Sequence, residues 1–341
     1  MTNASPSAPQ QRVRVPRRAL DGVLLLDKPV GLSSNDALIR AKRLYQAKKA
    51  GHTGTLDPLA SGLLPLCFGE ATKFSQDLLD ADKTYEATMR LGVTTTTGDA
   101  EGEVLLTRDV RCSEEDIAAA FERFRGEIVQ IPPMYSALKR DGKPLYEYAR
   151  AGQTVEREGR RVTIHALEPI ACALPDVAFR VTCSKGTYVR TLAEDIGASL
   201  GCGAHLIALR RTGVGALTLE HAVTLDALSD AARSDAAQGE LDRWLQPVDT
   251  LLSTFPAVHL DDEAARRFLH GQRLRLADLS ISDGITGTVS STISSDLNRE
   301  PSCAPRVRVY AATGGRLLGV AKAADGVLAP ERLIVAAAAT S

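Results

Sequence analysis

Two separated segments in which apolar side chains alternate with a period of two restrict the fold most. Between Lys83 and Val93 the residues Tyr85, Ala87, Met89, Leu91 and Val93 share one side, and between Val177 and Cys183 the residues Val177, Phe179, Val181 and Cys183 do the same. Successive side chains of a strand point to opposite faces, so such segments form half-buried strands that pack one face on a core. Gly22 to Asp27 (GVLLLD) and Val162 to Leu167 predict further strands. Helical signals lie between them. Ser33 and Ser34 offer capping hydroxyls before Asp36 to Tyr45, where Ala37, Leu38, Ala41, Leu44 and Tyr45 recur at helical spacing. Ser113 opens a second helix with Glu114, Glu115 and Asp116 in its first turn, where carboxylates meet free amides. Tyr188 to Leu200 predicts a third, stopped near Gly201 and Gly203. No βαβ rhythm connects these elements. The expected class is α+β, built on a mixed, largely antiparallel sheet.

A boundary is expected near Leu251 to Pro256. Beyond it, Asp261 to Gly271 predicts a short helix, and Arg306 to Ala311 and Arg316 to Ala321 predict two strands joined through Thr313, Gly314 and Gly315. Residues 277–305 are poor in large apolar side chains and rich in Ser, Thr, Gly and Asp, the composition of a mobile insertion. The chain thus divides into a flexible basic tail (residues 1–19), a large domain (20–252) and a small β-rich domain (253–341).

Composition narrows the function classes. No apolar run approaches the roughly 18–20 residues that span a membrane, and the polar, basic N-terminal segment lacks the apolar centre of a secretory signal. The six cysteines include no CxxC and no histidine pair has HExxH spacing, so no metal site is expected and the thiols read as reduced core residues of a cytoplasmic protein. The net charge of −1 conceals an asymmetry: residues 11–50 hold ten Lys or Arg against three acids, whereas residues 220–270 hold ten acids against four arginines. Further basic clusters stand at Lys139, Arg140 and Lys143, at Arg157, Arg160 and Arg161, and at Arg210 and Arg211. Each alone is an ordinary solvated face; together they suit a polyanionic partner.

The densest chemical signal is Gly51-His52-Thr53-Gly54-Thr55-Leu56-Asp57-Pro58-Leu59-Ala60-Ser61-Gly62. Pro58 restricts the conformation of Asp57, and the glycines allow close approach of a ligand, so one carboxylate is offered from a rigid loop. Asp before Pro is equally at home in a plain turn, and spacing alone leaves both readings open.

The segment GHTGTLDPLASGLLPL resembles the catalytic motif of the TruB family, the bacterial tRNA pseudouridine-55 synthases. Residues 22–36 (GVLLLDKPVGLSSND) resemble the family's N-terminal motif. GEATK from Gly69, DKTY from Asp82, IPPMYSAL from Ile131, SKGTYVRTL from Ser184 and LRRT from Leu209 follow in the family's order. The likeness covers roughly residues 20–250. One departure is visible: Thr94 to Gly102 (TTTTGDAEG) lacks the acid many relatives carry within the threonine run.

The resemblance implies an isomerase that breaks the N1–C1′ bond of a uridine, turns the uracil and joins C5 to C1′. No cofactor or metal is required. Glycosidases commonly use two carboxylates because a poor leaving oxygen needs an acid. Uracil leaves as a delocalised anion, so one carboxylate can suffice. By resemblance it is Asp57, held ionised by Arg190. Asp57 either attacks C1′ or removes a sugar proton to give a glycal. Tyr85 matches the family tyrosine that lies against the target uracil and assists removal of the C5 proton; a core-facing strand residue is its plainer reading. Tyr188 corresponds to a second pocket tyrosine and Leu209 to an apolar contact on the base. His52 matches the histidine that fills space vacated by flipped nucleotides. Lys28 and Lys185 match positions near the active site or RNA backbone, with a surface salt bridge as the competitor for each. The implied partner is the T arm of tRNA, bound by a monomer without a membrane. The C-terminal segment resembles, more weakly, the PUA-type RNA-binding domains that follow this catalytic domain in relatives. A non-catalytic tRNA-binding or tRNA-folding protein keeping the same fold, and a synthase acting on another RNA position, are the alternatives.

Overall fold

The computed structural model describes residues 17–234, 236–278 and 305–334. Residues 1–16 of the expected tail and 279–304 of the expected insertion lie outside the described residues. Among the described residues, eleven strands form one large sheet and five a smaller one, with two short two-stranded ribbons beside them. No described helix is long and apolar enough to cross a membrane.

The alternating segments become neighbouring strands of the large sheet. Lys83–Leu91 and Asp176–Cys183 run antiparallel, so that Ala87, Met89 and Leu91 lie on one buried face with Val177, Phe179, Val181 and Cys183. Against this face pack Ile117, Ala120 and Phe121 of the helix Glu114–Arg123, and Leu192, Ala193 and Ile196 of the helix Val189–Ser199. Each of the larger ones, Ile117, Phe121, Leu192 and Ile196, contributes about 1.5–3 kcal/mol when removed from water. Ser113 caps the first of these helices reciprocally with Asp116. A second core forms where Leu24 and Leu26 of the strand Gly22–Lys28, and Leu64, Leu66 and Phe68 of Ala60–Phe68, meet Ala37 and Ala41 of the helix Ser34–Leu44.

The strand Ala204–Val214 joins the two halves. It pairs antiparallel with Lys83–Leu91 along its length and parallel with Ala60–Phe68 only over Leu209, Arg210 and Arg211. At that seam Gly62 has φ +99, and a β-carbon there would lie 2.2 Å from the carbonyl oxygen of Arg211. Glycine is what lets the two strands close.

The smaller sheet is ordered Ala257–Leu260, Arg306–Ala311, Leu317–Ala324, Val327–Leu333, Leu274–Arg275. The helix Asp262–Leu269 covers it through Phe268, over a core that includes Val258, Val307, Val309 and Leu328. This C-terminal β domain contacts the large sheet. Val320 packs in one cluster with Phe74, Leu78 and Leu251, and Arg306 pairs with both Asp77 and Glu331.

Candidate active site

The loop between His52 and Ala60 is held from several sides. Thr53 N donates to Pro65 O (3.1 Å), Ala60 N to Asp57 O (3.1 Å) and Gly31 N to Pro58 O (2.8 Å). Ser33 caps the helix Ser34–Leu44 by accepting from Asp36 N. Ser34, expected as a second capping hydroxyl, lies inside the helix instead. Its Oγ accepts from Leu56 N (2.7 Å) and donates to Leu56 O (3.1 Å), which ties the helix to the residue before Asp57.

Arg190, second residue of the helix Val189–Ser199, reaches under this loop. Its Nη2 lies 2.9 Å from Asp57 Oδ2 and its Nη1 3.4 Å from Asp99 Oδ2. It also donates to Thr97 O (3.0 Å) and Tyr135 O (2.7 Å). Asp99 Oδ1 in turn accepts from Thr97 Oγ1 (2.5 Å) and Glu101 N (3.1 Å). One guanidinium therefore serves two carboxylates, of which Asp99 is sealed (side chain 4 % exposed) and Asp57 faces a cavity (40 %). Desolvation among the surrounding groups pushes the Asp57 carboxyl above its ordinary range, Arg190 draws it back, and Asp99 adds to the rise. The acid expected to be held ionised by its arginine is thus only partly compensated.

Two cavities meet at Asp57. The first, of about 260 Å³, is lined by Asp57, Tyr85, Tyr188, Arg190, Leu209 and Arg211, among others. The second, of about 560 Å³, shares Asp57 and Arg190 and adds His52, Tyr135, Tyr146 and Arg150. Burial raises the Tyr85 hydroxyl above its ordinary pKa, against a lowering by Arg211, so the ring carries a neutral phenol at neutral pH. Burial likewise raises Tyr188, opposed by Ser136. Burial and then Arg211 lower the His52 imidazole, which is neutral too.

Six of the eight residues singled out from the sequence thus line adjoining cavities: Asp57, Tyr85, Arg190, Tyr188 and Leu209 the first, His52 the second. The two lysines do not line either. Lys28 has no exposed surface, and its Nζ donates to Pro29 O (2.8 Å) and Leu32 O (2.7 Å). Of the places expected for it, near the active site or the RNA backbone or in a surface salt bridge, burial leaves the first, with the ammonium holding the turn beside the site within electrostatic reach of Asp57. Burial lowers its pKa to about 8, with Asp57 raising it and Arg211 lowering it further. Lys185 is exposed and pairs with Asp80 at 2.9 Å, the plain surface salt bridge weighed against a functional role.

Asp99 and Arg211 were missed. Asp99 follows the threonine run, and its carboxylate lies 3.4 Å from Arg190. Adjacency to Arg210 makes Arg211 read as surface charge, but only Arg210 has that character, pairing with Asp27 at 2.7 Å. Arg211 is 1 % exposed.

Comparison with known proteins gives concordant findings. The family model described as TruB family pseudouridylate synthase, N-terminal domain, matches residues 42–189. The tRNA pseudouridylate synthase B C-terminal domain matches 190–253, and the model for the C-terminal region of pseudouridine synthase II TruB matches 296–334. The chain is 74 % identical over 332 residues to a tRNA pseudouridine synthase B of Burkholderia lata, covering 97 % of this chain and 96 % of that one. It is 61 % identical over 336 residues to one of Cupriavidus metallidurans, covering 98 % and 99 %. Among solved structures, a chain of a Cbf5–Nop10–Gar1 complex superposes with a TM-score of 0.68 at 28 % identity, covering 92 % of this chain and 84 % of that one.

Proposed function

The chain belongs to the TruB family of pseudouridylate synthases, and on that premise we propose that it converts uridine-55 in the T loop of tRNA to pseudouridine, with Asp57 as the indispensable carboxylate. The observation that carries this reading is the opening of Asp57, beside Arg190, into a cavity flanked by Tyr85, Tyr188 and Leu209.

Each part of the pocket has a task in that reaction. Extracting a base from its stack costs a few kcal/mol, and aromatic and aliphatic walls replace the lost stacking. Tyr85 and Leu209 supply those walls on adjacent strands. The sugar is then presented to Asp57, and the electron pair of the broken N1–C1′ bond stays on the uracil. The ring turns within the cavity, C5 joins C1′, and the C5 proton is lost. The second cavity, with His52 at its edge, accommodates nucleotides displaced beside the target. Phosphate contacts supply the general affinity, so binding weakens as salt rises. The C-terminal β domain is assigned the PUA-like RNA-binding role. The working unit is a monomer acting in the cytoplasm, without a cofactor. A protein that only bound or folded tRNA would have no use for a buried arginine holding a carboxylate open to a cavity, and that observation favours the enzyme.

The test is Asp57→Asn, assayed by tritium release from tRNA labelled at C5 of uridine. The variant is expected to bind tRNA normally and to lose several orders of magnitude in turnover. Substantial residual turnover would overturn the role of Asp57. Mapping the pseudouridines made in an unmodified tRNA pool tests the position, and a product elsewhere than in the T loop would overturn the substrate.

A further inference from the structure

The two arginines of the LRRT segment are separated by the alternation of their strand. Arg210 faces outward and is neutralised by Asp27. Arg211 faces inward, directly opposite Tyr85 across the antiparallel pair. It is 1 % exposed, lines the same cavity as Asp57 and Tyr85, and forms no ion pair among the described residues. Its Nε donates to Leu63 O at 2.7 Å and its Nη2 to Gly54 O at 3.4 Å, both backbone carbonyls. The other guanidinium of the pocket, Arg190, is already shared by two carboxylates.

We propose that Arg211 supplies the positive charge that stabilises the uracil as it leaves C1′, relayed by the hydroxyl of Tyr85. This rests on the proposed function, and it concerns how the same cavity handles the leaving group. When the N1–C1′ bond breaks, its electron pair goes to the ring and the negative charge spreads over N1, O2 and O4. Nothing is oxidised or reduced, and a ring electron pair forms the C5–C1′ bond before the C5 proton departs. A fixed cation behind a neutral phenol is suited to that charge, because it is already oriented and water is excluded. Two groups lining the cavity, Lys83 and Tyr85, and two outside it, Lys28 and His52, register its charge: Arg211 lowers the pKa of each. Lys83 lines the same cavity but gives its ammonium to the carbonyls of Leu78, Leu79 and Ala81. Arg211 acts through Tyr85 and is therefore a positioning residue.

The experiment compares single-turnover loss of the original nucleoside in tRNA carrying uridine or 5-fluorouridine at the target position. Fluorine stabilises the ring anion, so cleavage of 5-fluorouridine depends less on charge supplied by the protein. Arg211→Gln is expected to slow uridine about 10²-fold, to slow 5-fluorouridine markedly less, and to leave tRNA affinity unchanged. Its 5-fluorouridine-to-uridine rate ratio therefore rises. Tyr85→Phe removes the relay while keeping Arg211, and it should raise the ratio as well, which preserves the test if the Gln chain does not fold. Equal slowing of both substrates, or no slowing, overturns the inference. A parental chain that does not isomerise tRNA uridine sinks the functional reading itself; one that does, with unchanged ratios in the variants, sinks only the role of Arg211.

Discussion

Arg190→Ala removes the cation that Asp57 and Asp99 share, at 2.9 and 3.4 Å. Breaking a buried pair by deleting one partner costs about 3–5 kcal/mol, because a charge is left without compensation. Protonation sets a ceiling. A carboxyl of ordinary pKa, about 3.9, can be neutralised at pH 7 for about 4 kcal/mol, at 1.36 kcal/mol per pH unit. Asp99 bears nearly the full penalty with its side chain 4 % exposed, whereas Asp57, at 40 %, is reached by solvent and adds little. The carbonyls of Thr97 and Tyr135 lose their donor too, but both residues border the second cavity, where water replaces it. The expected loss is about 3–4 kcal/mol at pH 7.

This loss depends on pH, and its sign is fixed. Without the arginine the folded chain holds the acid charge uncompensated, so folding is disfavoured wherever the unfolded carboxyls are ionised. The penalty is then absent below about pH 4, where unfolded carboxyls are protonated, and grows as pH rises above it. Urea denaturation of parent and variant at pH 5 and pH 8 should therefore show the larger gap at pH 8. Adding Asp99→Asn should recover much of it, since the sealed charge is gone. An equal gap at both pH values, with no recovery from the second substitution, would refute the pairing as the source of stability.

Two further outcomes follow from the same geometry. Burial lifts the Asp57 carboxyl above its ordinary range, so kcat/KM should fall, as pH is lowered, through a limb above about pH 4; Arg190→Ala should move it higher still, and a limb at or below the ordinary carboxylate value would contradict the assignment. Gly62→Ala would place a methyl 2.2 Å from Arg211 O at φ +99, so chemical denaturation should show a loss of about 3 kcal/mol or more, and a loss near zero would mean that the strands tolerate separation there.

The sequence disclosed what periodicity and rigid chemistry encode. The alternating residues 85–91 and 177–183 supplied neighbouring strands and their buried face, and capping hydroxyls located two helices. The 51–62 loop announced a presented carboxylate because Gly and Pro leave its backbone few options. Its pairing with Arg190 spans over a hundred residues of chain, and only family resemblance pointed to it. Lys28 closes an apolar strand, and its sequence position points to the active site, the RNA backbone or a surface salt bridge without deciding among them. Its burial is set by the turn at Pro29 and Leu32, whose carbonyls have no signature in side-chain pattern. Arg211 was legible in principle, since alternation must send neighbours to opposite faces. Charge grouping hid it, because two adjacent arginines suggest a patch until their strand is recognised.

The competing influences on Asp57 bear on why one carboxylate is enough. A carboxylate fully compensated by its own arginine would be ionised but weakly basic and weakly nucleophilic. One buried without compensation would be protonated at neutral pH and unable to act. Here Arg190 is divided between Asp57 and Asp99, while desolvation pushes the reactive acid upward. On the proposed role of Asp57, that opposition suits a carboxylate whose affinity for carbon or proton must exceed that of an ordinary one. A base that displaces water from the cavity strengthens both influences. The positive charge for the leaving group must then come from a cation not already neutralised, and in this pocket Arg190 does not qualify while Arg211 does.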